Sequence, residues 1–146
     1  MHIDIVEQAF APYTRLQEYQ DQLPAAARQF GATAVFVGSM RDFNQGDAVQ
    51  QMHLEHYPGM SEKELQRIGA EAAQQWQLLD ALIVHRVGDL HPVDPIVLVA
   101  VWSVHRRDAF EACRYIMEAL KSRAPFWKKE TLSKGERWVD NNTAGY

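Results

Sequence analysis

The apolar residues of the chain fall into strand-like runs in four places and into helical spacing in two. Ala32-Thr33-Ala34-Val35-Phe36-Val37 is rich in β-formers and ends at Gly38, and Ala48 to Tyr57 is a second extended segment. The loop between them contains Asn44-Gln45-Gly46-Asp47, so the pattern predicts that the two form a hairpin. Ala81 to Val87 and Ile96 to Val104 are β-branched apolar runs that predict a second strand pair. The connection from Gly88 to Pro95 holds two prolines and a glycine, which stop either strand from continuing. After Pro58-Gly59, Ser61 and Glu64 have capping-box spacing and Met60 with Leu65 fits a hydrophobic staple, predicting a helix from about Glu62. Its apolar stripe is Leu65, Ile68, Ala72 and Trp76, placed to pack on a sheet. From Arg107 to Arg123 a second stripe runs through Ala109, Phe110, Cys113, Ile116, Met117 and Leu120. Pro125 biases Ala124 away from helical geometry, so this helix ends near Arg123. Strand pairs interspersed with helices, without regular βαβ alternation, predict an α+β fold with a largely antiparallel sheet.

Composition adds exclusions. The 146 residues suit one domain, 1–146, able to hold a core without disulfides or structural metal. The single cysteine, Cys113, forms neither an internal disulfide nor a four-cysteine zinc site. The N-terminus lacks a basic region followed by an apolar one, and no run approaches the ~20 apolar residues of a membrane span, so a cytoplasmic protein is expected. The net charge of -4 argues against a general nucleic-acid binder. It is unevenly spread: residues 1–100 carry 6 Lys and Arg against 13 Asp and Glu, and residues 101–146 carry 9 against 6. Either a solvated basic face or a local anion site explains that gradient.

The densest chemistry surrounds the second helix. Ser103-Val104-His105-Arg106-Arg107 lies where strand gives way to helix, a place where first-turn N–H groups and side chains converge on an anion. His105 is either a packed or capping residue or a phosphate ligand and proton carrier. At the far end, LKSRAPFWKKE (120–130) puts Lys121 in the last helical turn and Lys128 in an extended segment beyond Pro125. On one uninterrupted helix those amines would stand about 10 Å apart, but a proline-enforced reversal can bring both to one pocket. Burial and a neighbouring cation would then lower a lysine pKa and favour the neutral amine, although most lysines are solvated surface residues. Arg41 follows an apolar strand and a Gly38-Ser39-Met40 loop, a weak anion signal when taken alone. Neither a nucleoside-triphosphate loop nor a dinucleotide fingerprint is present, and His53 and His56 lack metal-ligand spacing for a strand. Cys113, inside an apolar stripe, reads as a small buried hydrophobe. Phe126, Trp127 and Trp138 read as core or interface aromatics, or, with the nearby lysines, as a platform for single-stranded RNA.

Several segments together resemble a known family. Arg41 with Gly46-Asp47, Leu54-Glu55-His56-Tyr57-Pro58-Gly59-Met60, His85-Arg86-Val87-Gly88, and Ser103-Val104-His105-Arg106 with Ala109-Phe110-Glu111-Ala112 carry the first part of the likeness. LKSRAPFWKKE and Gly135-Glu136-Arg137-Trp138-Val139 complete it. In this order, over residues 31–139, they resemble the large subunit of molybdopterin synthase, the MoaE family. Residues 1–30 add little.

The resemblance implies an α/β-hammerhead type of fold and a sulfur-transfer enzyme of molybdenum-cofactor biosynthesis. The substrate would be cyclic pyranopterin monophosphate, precursor Z. The sulfur donor would be the C-terminal thiocarboxylate of a small ubiquitin-like partner of the MoaD type, bound in a heterotetramer around a central dimer of large subunits. Neither metal nor cofactor is implied. By position, Lys121 and Lys128 match the catalytic lysines, and Arg41, His105 and Arg106 match residues that hold the substrate anion. Ser39, Met40, Lys129 and Glu130 are further candidates for binding substrate, and Phe36 and Met117 for apolar walls. The chain departs from the pattern at Ser39, where some relatives have lysine, and at Asp140-Asn141-Asn142, where some carry an arginine. A non-catalytic partner-binding paralogue is the competing reading, and intact Lys121 and Lys128 speak against it.

Overall fold

The computed structural model describes residues 1–44, 46–132 and 135–139. Nine strands and three helices alternate along these residues. They are β1 (His2–Val6), α1 (Pro12–Asp21), β2 (Ala32–Ser39), β3 (Phe43–Asn44), β4 (Asp47–His56), α2 (Met60–Gln75), β5 (Leu78–Arg86), β6 (Gly88–Leu90), β7 (Pro95–Ser103), α3 (Arg106–Arg123), β8 (Phe126–Leu132) and β9 (Gly135–Trp138). One sheet has the order β1-β5-β7-β2 and the other β3-β4-β8-β9, with β6 also on β4. Only β1 and β5 pair in parallel, so the α+β, largely antiparallel expectation holds.

The first sheet is covered on both faces, which explains why β7 reads as an unbroken apolar run instead of an alternating one. Val97, Val99 and Val101 face α2 and α3, where they meet Leu65, Ile68, Ala72, Ile116 and Leu120. Leu98, Ala100 and Trp102 face the opposite way, onto Leu23 and the partly buried Leu16 and Tyr19 of the N-terminal segment. The Trp102 indole N–H donates to Gln20 there, at 3.0 Å. Residues 1–30, which add little to the family resemblance, therefore close one face of the core. A third cluster, of Met40, Val49, Met52, Leu54, Val87 and Leu90, lies under the second sheet.

Three local expectations are corrected. The segments 32–37 and 48–57 are strands but do not pair with each other: β2 lies along β7, and β4 lies between β3, β6 and β8. The helix start is two residues earlier than the capping-box spacing suggested. Gly59, at φ +86°, adopts a backbone that L side chains rarely reach, and its N–H donates to Glu62. Ser61 is instead fully buried inside the first turn, while Met60 is exposed and does not staple onto Leu65. Phe110 sits in the predicted stripe of α3 yet is 68% exposed, because it lies at the margin of that stripe beside the open edge strand β2.

Candidate functional site

A cavity of about 310 Å³ opens where the end of β2, the ends of β5 and β7, the last turn of α3 and the start of β8 meet. Its polar lining comes from Ser39, Arg41, His85, Lys121 and Lys128, and Phe36, Ile96, Met117, Leu120 and Phe126 supply apolar walls. The site thus lies at the seam between the two sheets.

Lys121 reaches it from the last turn of α3. The helix stops where expected: Ala124 is extended at ψ 132°, ahead of Pro125. The reversal is tied down from both sides. Arg123 bonds Glu64 and Glu71 of α2, and the Ser61 hydroxyl donates to the Pro125 carbonyl at 3.4 Å. The Phe126 N–H donates back to the Ala124 carbonyl, and β8 then runs antiparallel to β4 with Phe126 opposite His56 and Lys128 opposite Leu54. Alternation along β8 sends Phe126 and Lys128 into the cavity and Trp127 and Lys129 to the other face.

Arg41 is positioned through its neighbour. The Met40 N–H donates to the Asp94 carbonyl, and the Met40 carbonyl accepts from the Val93 N–H, each at 2.9 Å. Val93 adopts φ +77°, a costly conformation for a β-branched residue, and that turn is what presents both backbone groups to Met40. With the Met40 side chain buried in the third cluster, Arg41 is left at the cavity wall.

Three cationic side chains share this small space. Burial pulls the Lys128 amine down to about 8, aided by Lys121 and Arg41 and opposed by Glu130. His85, fully enclosed, is held down to about 4 by burial, with Lys128, His56 and Lys121 acting in the same direction. Its ring lies flat on Phe126, with centroids 3.9 Å apart and planes 7° apart. At neutral pH the pocket therefore contains an amine that exchanges its proton readily and an imidazole that stays neutral.

Not every predicted residue converges here. Ser39, Arg41, Lys121, Lys128, Phe36 and Met117 all line the cavity. Met40 is buried beneath it. Lys129 points away and pairs with Glu136 at 2.8 Å. Glu130 shares the covered face of β8 with Lys128 but lies farther along it, bonded to Arg137 and Asn44, where it acts on Lys128 through its charge. His105 and Arg106 are exposed at the opposite end of α3, about 22 Å along the axis from Lys121, so one chain does not bring them to these lysines. Trp127 packs edge-on against Tyr57 at 4.5 Å and Trp138 receives Lys129 at 5.7 Å, while Phe126 turns into the cavity, so Phe126 and Trp127 do not share one face. Cys113 is buried on α3, its thiol pushed up to about 11 by burial, unsuited to act as a nucleophile. The departure near Asn142 lies outside the described residues. His85 is the lining residue that periodicity missed; the available signal was a polar side chain ending the buried run of β5, inside the His85-Arg86-Val87-Gly88 string.

Comparison with known proteins adds a consistent pattern. Residues 11–123 match the model of the MoaE protein family. Over 118 residues the chain is 58% identical to a molybdopterin synthase catalytic subunit from Ralstonia nicotianae, covering 81% of this chain and 67% of that one. Over 140 residues it is 50% identical to the corresponding subunit from Pseudomonas aeruginosa, covering 96% and 91%. A solved structure of molybdopterin synthase from Staphylococcus aureus superposes with a TM-score of 0.83 at 34% identity, covering 94% of this chain and 96% of that one.

Proposed function

The chain belongs to the MoaE family, and from that premise we propose that the cavity bounded by Arg41, Lys121 and Lys128 is where it performs the family's sulfur transfer. The protein is the catalytic subunit of a molybdopterin synthase. It passes sulfur from the C-terminal thiocarboxylate of a small ubiquitin-like subunit to precursor Z, forming the dithiolene of molybdopterin. The observation that carries the site reading is the gathering of two lysines and an arginine in one enclosed space, with the Lys128 amine at about 8.

The chemistry follows from those charges. The partner's thiocarboxylate sulfur attacks an oxygen-bearing carbon of the pterin side chain, forming a carbon–sulfur bond and an acyl-linked intermediate as a carbon–oxygen bond of that carbon breaks and its oxygen leaves, with the opened cyclic phosphate or as water. Water then adds to the acyl carbon, the acyl–sulfur bond breaks, sulfur stays on the pterin, and the partner leaves as a carboxylate. A second donor repeats the sequence. Fixed cations in a desolvated pocket stabilise the negative charge that develops on the acyl oxygen, the role we assign to Lys121. Lys128, close to half-protonated near pH 8, suits proton transfer to and from the attacking water. The Arg41 guanidinium suits the cyclic phosphate. Cys113, buried and held as a thiol, has no part in carrying sulfur.

His105 and Arg106 enter this reading through a second copy of the chain. Strand β2 is an open sheet edge, and Val35, Phe36 and Phe110 are exposed beside it, an apolar surface on which the dimer of large subunits fits. No described helix is long and apolar enough to cross a membrane, and synthesis in the cytoplasm belongs to the same proposal.

The test is a single-turnover assay with this protein, thiocarboxylated small subunit and precursor Z, reading molybdopterin as its oxidised fluorescent derivative. Wild type is expected to yield product, and Lys121→Ala to yield none while still binding the small subunit. Product formation by Lys121→Ala at the wild-type rate would remove the lysine from the mechanism.

A further inference from the structure

The charged side chains lining the cavity, Arg41, Lys121 and Lys128, donate hydrogen bonds while protonated. That arrangement suits a phosphate and an acyl oxygen but leaves the other half of the substrate unmatched. A pterin ring system carries N–H groups on its rings and its exocyclic amine, and a buried N–H without an acceptor is costly. Among the lining side chains of the described residues, only Ser39 and His85 carry neutral oxygen or nitrogen acceptors.

His85 is built for that task. It occupies the end of β5, opposite Val97 of β7 and Ile5 of β1. Its Nδ1 lies 2.9 Å from the Arg86 carbonyl oxygen, which has no proton to give. Nδ1 therefore bears the hydrogen, and Nε2 keeps its lone pair on a ring that lines the cavity. The flat stack on Phe126 fixes the ring plane, and Phe126 is itself set by the reversal at Pro125 and by its pairing with His56. The imidazole is thus locked in tautomer and in plane beside Lys128.

We propose that His85 is a substrate-positioning residue, its Nε2 accepting a hydrogen bond from an N–H of the pterin ring system so that the side chain to be sulfurated faces Lys121 and Lys128. The assignment rests on the reading that this cavity holds precursor Z. It assigns the pterin end of the substrate to the His85 and Phe126 wall and the phosphate end to Arg41.

The test uses the complex with a small subunit ending in an ordinary carboxylate, which binds without reacting, and measures precursor Z binding by calorimetry. His85→Leu, which removes the acceptor, is expected to weaken binding about tenfold, and His85→Gln, which can offer an amide oxygen near the Nε2 position, to stay within about threefold of wild type. Nitrogen NMR of the wild-type imidazole provides a readout that needs no variant to fold: on adding precursor Z the Nε2 signal shifts upfield and the Nδ1 signal does not. Binding that is lost in Lys121→Ala but unchanged in His85→Leu, or an Nε2 signal unmoved by bound precursor Z, overturns the assignment alone. Precursor Z that fails to bind the wild-type complex overturns the site reading and this assignment with it.

Discussion

Replacing Lys128 by methionine is expected to give a more stable protein that makes no molybdopterin. Lys128 faces the cavity from β8, opposite Leu54, and folding lowers its amine from an ordinary 10.5 to about 8, chiefly by burial. At neutral pH the amine is protonated in both folded and unfolded chains, so the folded chain bears the full cost of enclosing that charge. A displacement of this size corresponds to at most about 3 kcal/mol, and solvent reaching the pocket mouth brings the expected gain to roughly 1–3 kcal/mol. Methionine has similar length and flexibility and carries no charge. The sign with pH is fixed by the same numbers. As pH rises through 8 the folded amine loses its proton while the unfolded one keeps it, so wild type gains stability until about 10.5. The variant's advantage is therefore full below pH 8 and gone by about pH 10.5. Urea unfolding of both proteins at pH 7 and pH 10, at equal protein concentration, measures the difference directly, and single turnover measures the lost activity. A variant less stable than wild type at pH 7, or a difference that does not shrink by pH 10, would refute the argument that burial and neighbouring cations tune this amine.

Two further outcomes follow from the buried groups around the site. Cys113→Ser is expected to turn over like wild type, and native Cys113 to react with iodoacetamide at pH 8 at least a hundredfold more slowly than the urea-unfolded chain, since only about a thousandth of a thiol near 11 is ionised there. Arg137→Met removes a partner that bonds Glu130 at 3.0 Å and Asp47 at 2.8 Å, leaving Glu130, 5% exposed, with Asn44. A lower urea midpoint is expected, because the buried Glu130 carboxylate loses its cation, and Glu130→Met in the same chain should recover much of it.

The elements that local physics decides were legible in the sequence. The stop at Arg123 follows from Pro125, and the two lysines meet because that stop forces a reversal within a few residues. Partner choice was legible only across a short connection, where 81–87 and 96–104 pair as expected: nothing in 32–37 or 48–57 says that β7 and β8, more than forty residues farther on, are their neighbours, because strand propensity is silent about pairing. Phe110 shows the limit of periodicity, which marks a face as apolar without saying whether this chain or another covers it. His85 was hidden for a related reason. A lone histidine ending a buried strand has no spacing signal, and its character comes from the Arg86 carbonyl, the Phe126 ring and the cations brought to it by folding. His105 and Arg106 read as anion-binding residues in the sequence, and their distance from the lysines is a property of the whole helix between them.

The walls of the cavity are drawn from residues 36–41, 85, 96–97 and 117–128, and no continuous stretch holds all of it. During synthesis, Lys121 and Lys128 are among the last of these to leave the ribosome, and the burial that lowers the Lys128 amine requires β8 to have docked on β4. The lowered amine of Lys128 is a product of completed assembly. On the proposed reading, a half-made or locally unfolded chain carries the same residues without the cavity that would receive a thiocarboxylate, so sulfur release requires both sheets in place.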